Sequence, residues 1–173
     1  MASRKYFKQK PISLIKQKLI IQQTYSNVEN CSINNSELQC ILHITPSAHS
    51  QTYRVKITYK LKKYPKVILL SPQLQIIDGE KPHHLYPDDK KGNPHLCVYT
   101  PNDEEWDISG SQLLANTIIP YISTWLNTYE YWVITGVWHY PGNEPKISSR
   151  RLKQFMRECA TTQLPESEVG KNA

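Results

Sequence analysis

Between Tyr53 and Tyr59 the chain alternates without a break. Tyr53, Val55, Ile57 and Tyr59 occupy one parity, and Arg54, Lys56 and Thr58 the other. Successive side chains of a strand point to opposite faces, so this period of two specifies a strand with one apolar and one polar face. Two flanking segments read the same way. Residues 38–45 alternate imperfectly through Leu38, Cys40, Leu42 and Ile44, and residues 66–70 form a short apolar run ended by Pro72. Residues 74–77 offer a fourth short strand. The intervals between these segments are short, and antiparallel neighbours need only short connections, so the expected sheet is an antiparallel meander.

Helical spacing lies on either side of this block. Residues 11–25 place Ile12, Ile15, Leu19 and Gln22 at helical intervals with lysines between them, and Pro11 suits a first turn. Residues 26–35 are polar and turn-rich. Residues 111–132 carry Leu113, Leu114, Ile118, Ile119, Ile122, Trp125, Leu126, Tyr129 and Trp132. Pro120 is expected to kink or split that helix, and Gly136 to stop it. Trp125, Tyr129 and Trp132 read as one helix face packing on the sheet. Residues 148–160 suggest a last helix with Leu152, Phe155 and Met156 on one side, and residues 164–173 a loose tail. No internal repeat is visible. The order of helix, antiparallel strands, irregular segment and helices is an α+β layout.

The irregular segment, residues 78–107, separates the strands from the aromatic helix. It is rich in Pro, Gly, Asp, His and Asn, and stretches of that length inside a compact domain are functional or disordered. Tyr86, Leu96, Cys97, Val98, Tyr99 and Trp106 are poor residues for disorder. An ordered site segment follows from that, with Trp106 as the plug that seats it.

Charge narrows the setting. The net charge is +6, and the first twenty residues hold Arg4, Lys5, Lys8, Lys10, Lys16 and Lys18 with no acid. A second basic run comprises Lys146, Arg150, Arg151, Lys153 and Arg157, whereas acids gather at Asp88, Asp89, Asp103, Glu104 and Glu105. Solvated helix faces and a docking face for an acidic protein both fit this pattern. No nucleic-acid motif accompanies the charge, so nucleic acid is not an expected partner. No segment approaches bilayer length and no apolar signal segment follows the basic start, so a cytoplasmic protein without membrane contact is expected.

The four cysteines, Cys31, Cys40, Cys97 and Cys159, form no C-x-x-C pair. In a reducing cytoplasm all four are expected as free thiols. Cys31, Cys40 and Cys159 read as small core hydrophobes. Cys97, between His95 and Tyr99 in the polar segment, admits three readings: a packed thiol, a zinc ligand together with His83, His84 and His95, or a nucleophile. The zinc reading matches no common ligand spacing. The nucleophile reading rests on chemistry, because a thiol forms thioesters stable enough to carry a group and reactive enough to yield it to an amine. Asp88, Asp89 and Asp103 place negative charge in the same segment, which disfavours the thiolate.

At these residues a resemblance emerges. Pro82-His83-His84-Leu85-Tyr86, Leu96-Cys97-Val98-Tyr99 and Trp106 resemble the active-site region of the prokaryotic ubiquitin-conjugating-like family, many of whose members belong to CBASS antiphage operons. Ile118-Ile119-Pro120, Trp125-Leu126, Tyr129-Glu130, Trp132, Thr135-Gly136 and Trp138 resemble that family's aromatic helix signature. The likeness runs from about Tyr64 to Trp138. It implies the ubiquitin-conjugating fold: an N-terminal helix, a four-stranded antiparallel meander, the active-site segment and C-terminal helices, in one domain over residues 1–162 with a flexible tail over 163–173.

The resemblance also implies chemistry. Cys97 would be the nucleophile of a cysteine acyltransferase, holding a partner's C-terminus as a thioester and passing it to an amine. The implied cargo is a cGAS-like nucleotidyltransferase, with a separate activating protein as a further partner and no cofactor or metal. His84 and Tyr86 would support the loop. Tyr86-Pro87-Asp88 stands where eukaryotic conjugating enzymes have His-Pro-Asn, and an ionised Asp88 cannot donate to an oxyanion. Asn93 and His95 are the nearest candidate donors. His139 adjoins Trp138 directly, whereas family members place a histidine later, so that role is not transferred. No two glycines make G-x-G, so an already activated acyl group is expected as substrate. The rival class is a non-enzymatic binding module on the same fold.

Overall fold

The structure, a computed structural model, describes residues 10–99, 106–139 and 145–161. The expected tail over residues 163–173, the acidic group Asp103, Glu104 and Glu105, and Arg4, Lys5 and Lys8 lie outside these residues. Within them the architecture is α+β.

Helix α1 spans Leu14–Thr24, with the Ser13 side chain capping the Lys16 amide at its start. Pro11 therefore precedes the cap instead of sitting in the first turn. The buried residues are Leu14, Gln17 and Ile21, whereas Ile15 and Leu19 are exposed. This corrects the helix face expected from Ile12, Ile15, Leu19 and Gln22. The helix packs on the first two strands through the 14, 17, 21 row, and the amide of Gln17 finds partners inside.

Strands β1 (Val28–Asn34), β2 (Glu37–Ile44), β3 (Tyr53–Tyr59) and β4 (Lys66–Ser71) form the antiparallel meander. The alternation becomes register. Leu38 pairs with Tyr59, Cys40 with Ile57, Leu42 with Val55 and Ile44 with Tyr53, and all eight side chains are buried. Residues 26–35 were expected as turns but supply β1. Cys31 is the one buried residue of that strand, so no apolar alternation marks it. Its pairing is set by the two-residue turn at Asn35 and Ser36, with φ of 49° and 57°. Positive φ at both positions suits the twist of a tight hairpin.

Two expectations fail along this sheet. Residues 74–77 form no strand, and Ile77 makes only an isolated bridge with Glu80. The edge of β4 is occupied instead by the irregular segment, whose short strands β5 (Leu85–Tyr86) and β6 (His95–Leu96) extend the sheet to the order β1-β2-β3-β4-β6-β5. Cys31 and Cys40 are not free thiols. They are direct cross-strand partners with Cα atoms 4.1 Å apart and are joined as a disulfide.

Helix α2 spans Ile118–Thr135 and begins later than expected, because residues 111–117 are mostly turns. Pro120 thus falls in the first turn, where its missing N–H would have had no helical partner, and no kink is needed. Ile118, Ile119, Ile122, Trp125, Leu126, Tyr129 and Trp132 form its buried face, and Tyr129 meets Tyr53 of β3 edge to face at 6.3 Å. Gly136, with φ of 73°, ends the helix by donating to the Trp132 carbonyl. A small ribbon of β7 (Val137–Trp138) and β8 (Lys146–Ile147) leads to helix α3 (Ser149–Thr161). Leu152, Phe155 and Met156 are exposed on α3. Trp106, read as a plug, is buried and meets the Tyr59 ring at 5.5 Å. Among the described residues no helix is long and apolar enough to cross a membrane.

Candidate active site around Cys97

Cys97 follows β6 immediately, and the strand alternation carries on past its end. Leu96 and Val98 are buried in the core, and Cys97 between them is half-buried. Its backbone N–H donates to the His84 carbonyl at 2.9 Å. The same carbonyl accepts the Trp125 indole N–H at 3.1 Å. His84 holds a φ of 54°, an uncommon left-handed conformation for a side-chain-bearing residue. The turn at His84 thus aims one carbonyl at both the cysteine strand and the aromatic helix.

Two imidazoles flank the buried Trp138. His84 stacks on it at 6.0 Å and 15°, and His83 meets it edge-on at 5.8 Å. Burial, then the Lys146 charge, lowers the pKa of each ring, which favours the neutral form. His95 is likewise shifted down, first by burial and then by Lys66, with Asp89 opposing.

Around the sulfur the groups are phenols. The Cys97 thiol donates to the Tyr99 carbonyl at 3.5 Å. Tyr86 lies on the same face of the β5–β6 pair as Cys97, diagonal to it, and burial first, then its interaction with the thiol, push the phenol up to about 12. Tyr86 faces His95 across the β5–β6 pair, ring centroids 4.7 Å apart. The Tyr99 hydroxyl donates to the Pro65 carbonyl at 2.8 Å, and its ring stacks on Tyr64 at 6.1 Å.

Asn93 is placed differently. Its side-chain amide donates to the Asp89 carboxylate at 3.0 Å, and its backbone N–H donates to the same carboxylate at 2.9 Å. The Asp89 N–H in turn donates to the Asn93 carbonyl. Asp89, held below the usual carboxylate range by these bonds, directs its charge into its own turn. Asp88 is exposed. His139 lies elsewhere, lining a cavity of about 510 Å³ with His49, Glu130 and Tyr131. Among the described residues no three His, Cys, Asp or Glu side chains come together as a metal ligand set.

The structure therefore brings together four of the expected residues: Cys97, His84, Tyr86 and His95. Sequence reasoning missed Trp125 as the indole anchor of the His84 carbonyl and Trp138 as the surface that both histidines cover. Both tryptophans were visible as part of a motif, but helical spacing assigned Trp125 to packing and said nothing of its N–H.

A family model described as Type II CBASS E2 protein matches residues 17–145, a span that starts within α1 and covers the whole surroundings of Cys97. No curated protein matches the chain.

Proposed function

The chain belongs to the type II CBASS E2 family, and from that premise we propose that it is a cysteine acyltransferase whose nucleophile is Cys97. The observation that carries the reading is the setting of this thiol. It is the free cysteine among the described side chains, half-buried, and its backbone is tied to the His84 turn. A thiol so held can meet an acyl group without the backbone rearranging.

The proposed substrate is the C-terminal carboxyl of a partner, delivered as a thioester or acyl adenylate. The Cys97 thiolate attacks the carbonyl carbon, a C–S bond forms, and the π pair moves to oxygen. Collapse of this oxyanion expels the donor's thiolate or AMP. An amine then attacks the new thioester. The C–N bond forms, the C–S bond breaks, the pair returns to sulfur, and the amine proton passes to solvent. His84 and Tyr86 support the loop. His95 and Asn93 are the proposed oxyanion donors, and Asn93 must exchange Asp89 for the oxyanion to serve. The CBASS setting supports a cGAS-like nucleotidyltransferase as cargo and the ubiquitin-conjugating fold as the scaffold.

The test uses such a nucleotidyltransferase bearing a C-terminal mercaptoethanesulfonate thioester. On non-reducing gels the wild-type protein should form an adduct cleared by thiol reductant. Cys97→Ser should form one that resists reductant, and Cys97→Ala none. An adduct that survives Cys97→Ala but disappears with Cys159→Ala would mean a different nucleophile. No adduct with any of them would favour the non-enzymatic binding module.

A further inference from the structure

We propose that Tyr86 is a catalytic residue: its hydroxyl donates a hydrogen bond to the Cys97 sulfur whenever that sulfur carries negative charge. This rests on Cys97 as the nucleophile and gives Tyr86 a direct part in place of loop support.

The geometry begins with the β5–β6 pair. Leu85 opposes Leu96 and Tyr86 opposes His95, so Tyr86 stands beside the strand that leads into Cys97. Its ring is held against the His95 imidazole. On the other side the Cys97 backbone is bound to the His84 carbonyl, two residues before Tyr86. Cys97 lies two residues beyond His95 and so shares its face, which makes phenol and thiol diagonal neighbours on one face of the pair, within reach of an aromatic side chain.

The neighbouring donors are engaged elsewhere. The Tyr99 hydroxyl donates to Pro65, the Asn93 amide to Asp89, and the Trp125 indole to His84. The thiol proton itself points to the Tyr99 carbonyl. When that proton leaves, the carbonyl dipole turns from acceptor to repulsive neighbour of the sulfur. The Tyr86 hydroxyl then remains as an attractive partner. A phenol held up near 12 keeps its proton through the neutral range, so it donates and adds no second negative charge. The imidazoles of His84 and His95, both shifted down, add little positive charge at neutral pH, which leaves hydrogen bonding as the main local stabilisation.

The proton stays on the phenol oxygen throughout, so the bond changes of acyl transfer need nothing further to balance. The same hydrogen bond serves twice. It stabilises the attacking thiolate during loading, and it stabilises the departing thiolate when an amine breaks the C–S bond.

Tyr86→Phe removes only the hydroxyl and keeps the ring on His95. Alkylation of Cys97 by iodoacetamide, read by mass spectrometry of the Cys97 peptide, should shift its pH profile upward. Its rate at neutral pH should fall by about tenfold, the lower range for a hydrogen bond to a charged group. Loading from the mercaptoethanesulfonate thioester should slow in parallel. Fluorotyrosine in place of Tyr86, nearly isosteric and a stronger donor, should move the profile the other way, which preserves the test if Tyr86→Phe does not fold. Superposable alkylation profiles for wild type and either variant overturn the proposal, and a wild-type acyl adduct on Cys97 would still stand. Shifted profiles with no acyl adduct on any form keep the Tyr86–Cys97 contact and remove the transferase reading.

Discussion

Gln17 is a polar side chain with no exposed surface on a helix otherwise dotted with lysines. Its amide nitrogen donates to the Gln112 carbonyl at 2.7 Å, and its oxygen accepts the Leu114 N–H at 2.9 Å. One side chain thereby pairs two backbone groups of the turn that feeds α2. Gln17→Leu fits the volume but strands both groups, each at a cost of roughly 1–3 kcal/mol. A loss of about 2–4 kcal/mol is therefore expected, read as a lower urea midpoint at an unchanged slope. At this scale Cys97 was legible as a candidate because a thiol in a long polar segment is out of place for a core residue. Gln17 was not, since a glutamine among lysines carries no sign of burial. Nor was His84, since nothing in a histidine announces a positive φ.

Among the elements, the strands divide by how much of each is buried. β2 and β3 alternate because one face of each lies in the core that α1 and α2 share, and that period is written in their residues. β1 buries Cys31 alone and is fastened from its outer face. There Glu29, at the register shift of β1, takes a two-point hydrogen bond from Arg54 of β3 at 2.6 Å and contacts His43 of β2 at 2.9 Å. Arg54 first, then His43, hold the Glu29 carboxyl down to about 2 from a usual 4.5. A depressed carboxylate contributes stability above its unfolded value and loses it as pH falls through the folded one. Acidification from about pH 4.5 to about pH 2 should therefore narrow the stability gap between wild type and Glu29→Gln, measured by denaturant midpoints at each pH. A gap that stays constant across that window would show that the three-strand ion pair has no energetic weight. The expected helix over residues 111–132 was too long at its start because apolar residues such as Leu114 and Ala115 fill the core from turns as well as from helix.

For the whole molecule, the distribution of charge matters more than its sum. Lys10 and Lys16 are exposed, Lys18 is half-buried, and α1 contains no acid. Charge of one sign along one segment chiefly speeds encounter with an oppositely charged partner. Reversing Lys10, Lys16 and Lys18 to Glu should slow association with the proposed nucleotidyltransferase partner by about tenfold at low salt, and the effect should fade as salt screens it. Stopped-flow association rates would measure this, and rates equal to wild type would reduce these lysines to a solubilising role.

The residues alone determined the class of the fold, the alternation of β3 and, less cleanly, of β2, the aromatic face of α2 and the thiol that chemistry points to. Each of these is a local matter, expressed as a period of two or 3.6 or as one residue out of keeping with its surroundings. Tertiary structure decided which face of α1 is buried, that β6 takes the edge of β4, that Cys31 pairs with Cys40, and that Tyr86 shares a face with Cys97 while Asn93 turns to Asp89. Those outcomes depend on groups brought together by packing and by a left-handed turn at His84. Nothing in the chain's periodicity reports what will lie across from a side chain once the hairpin has closed.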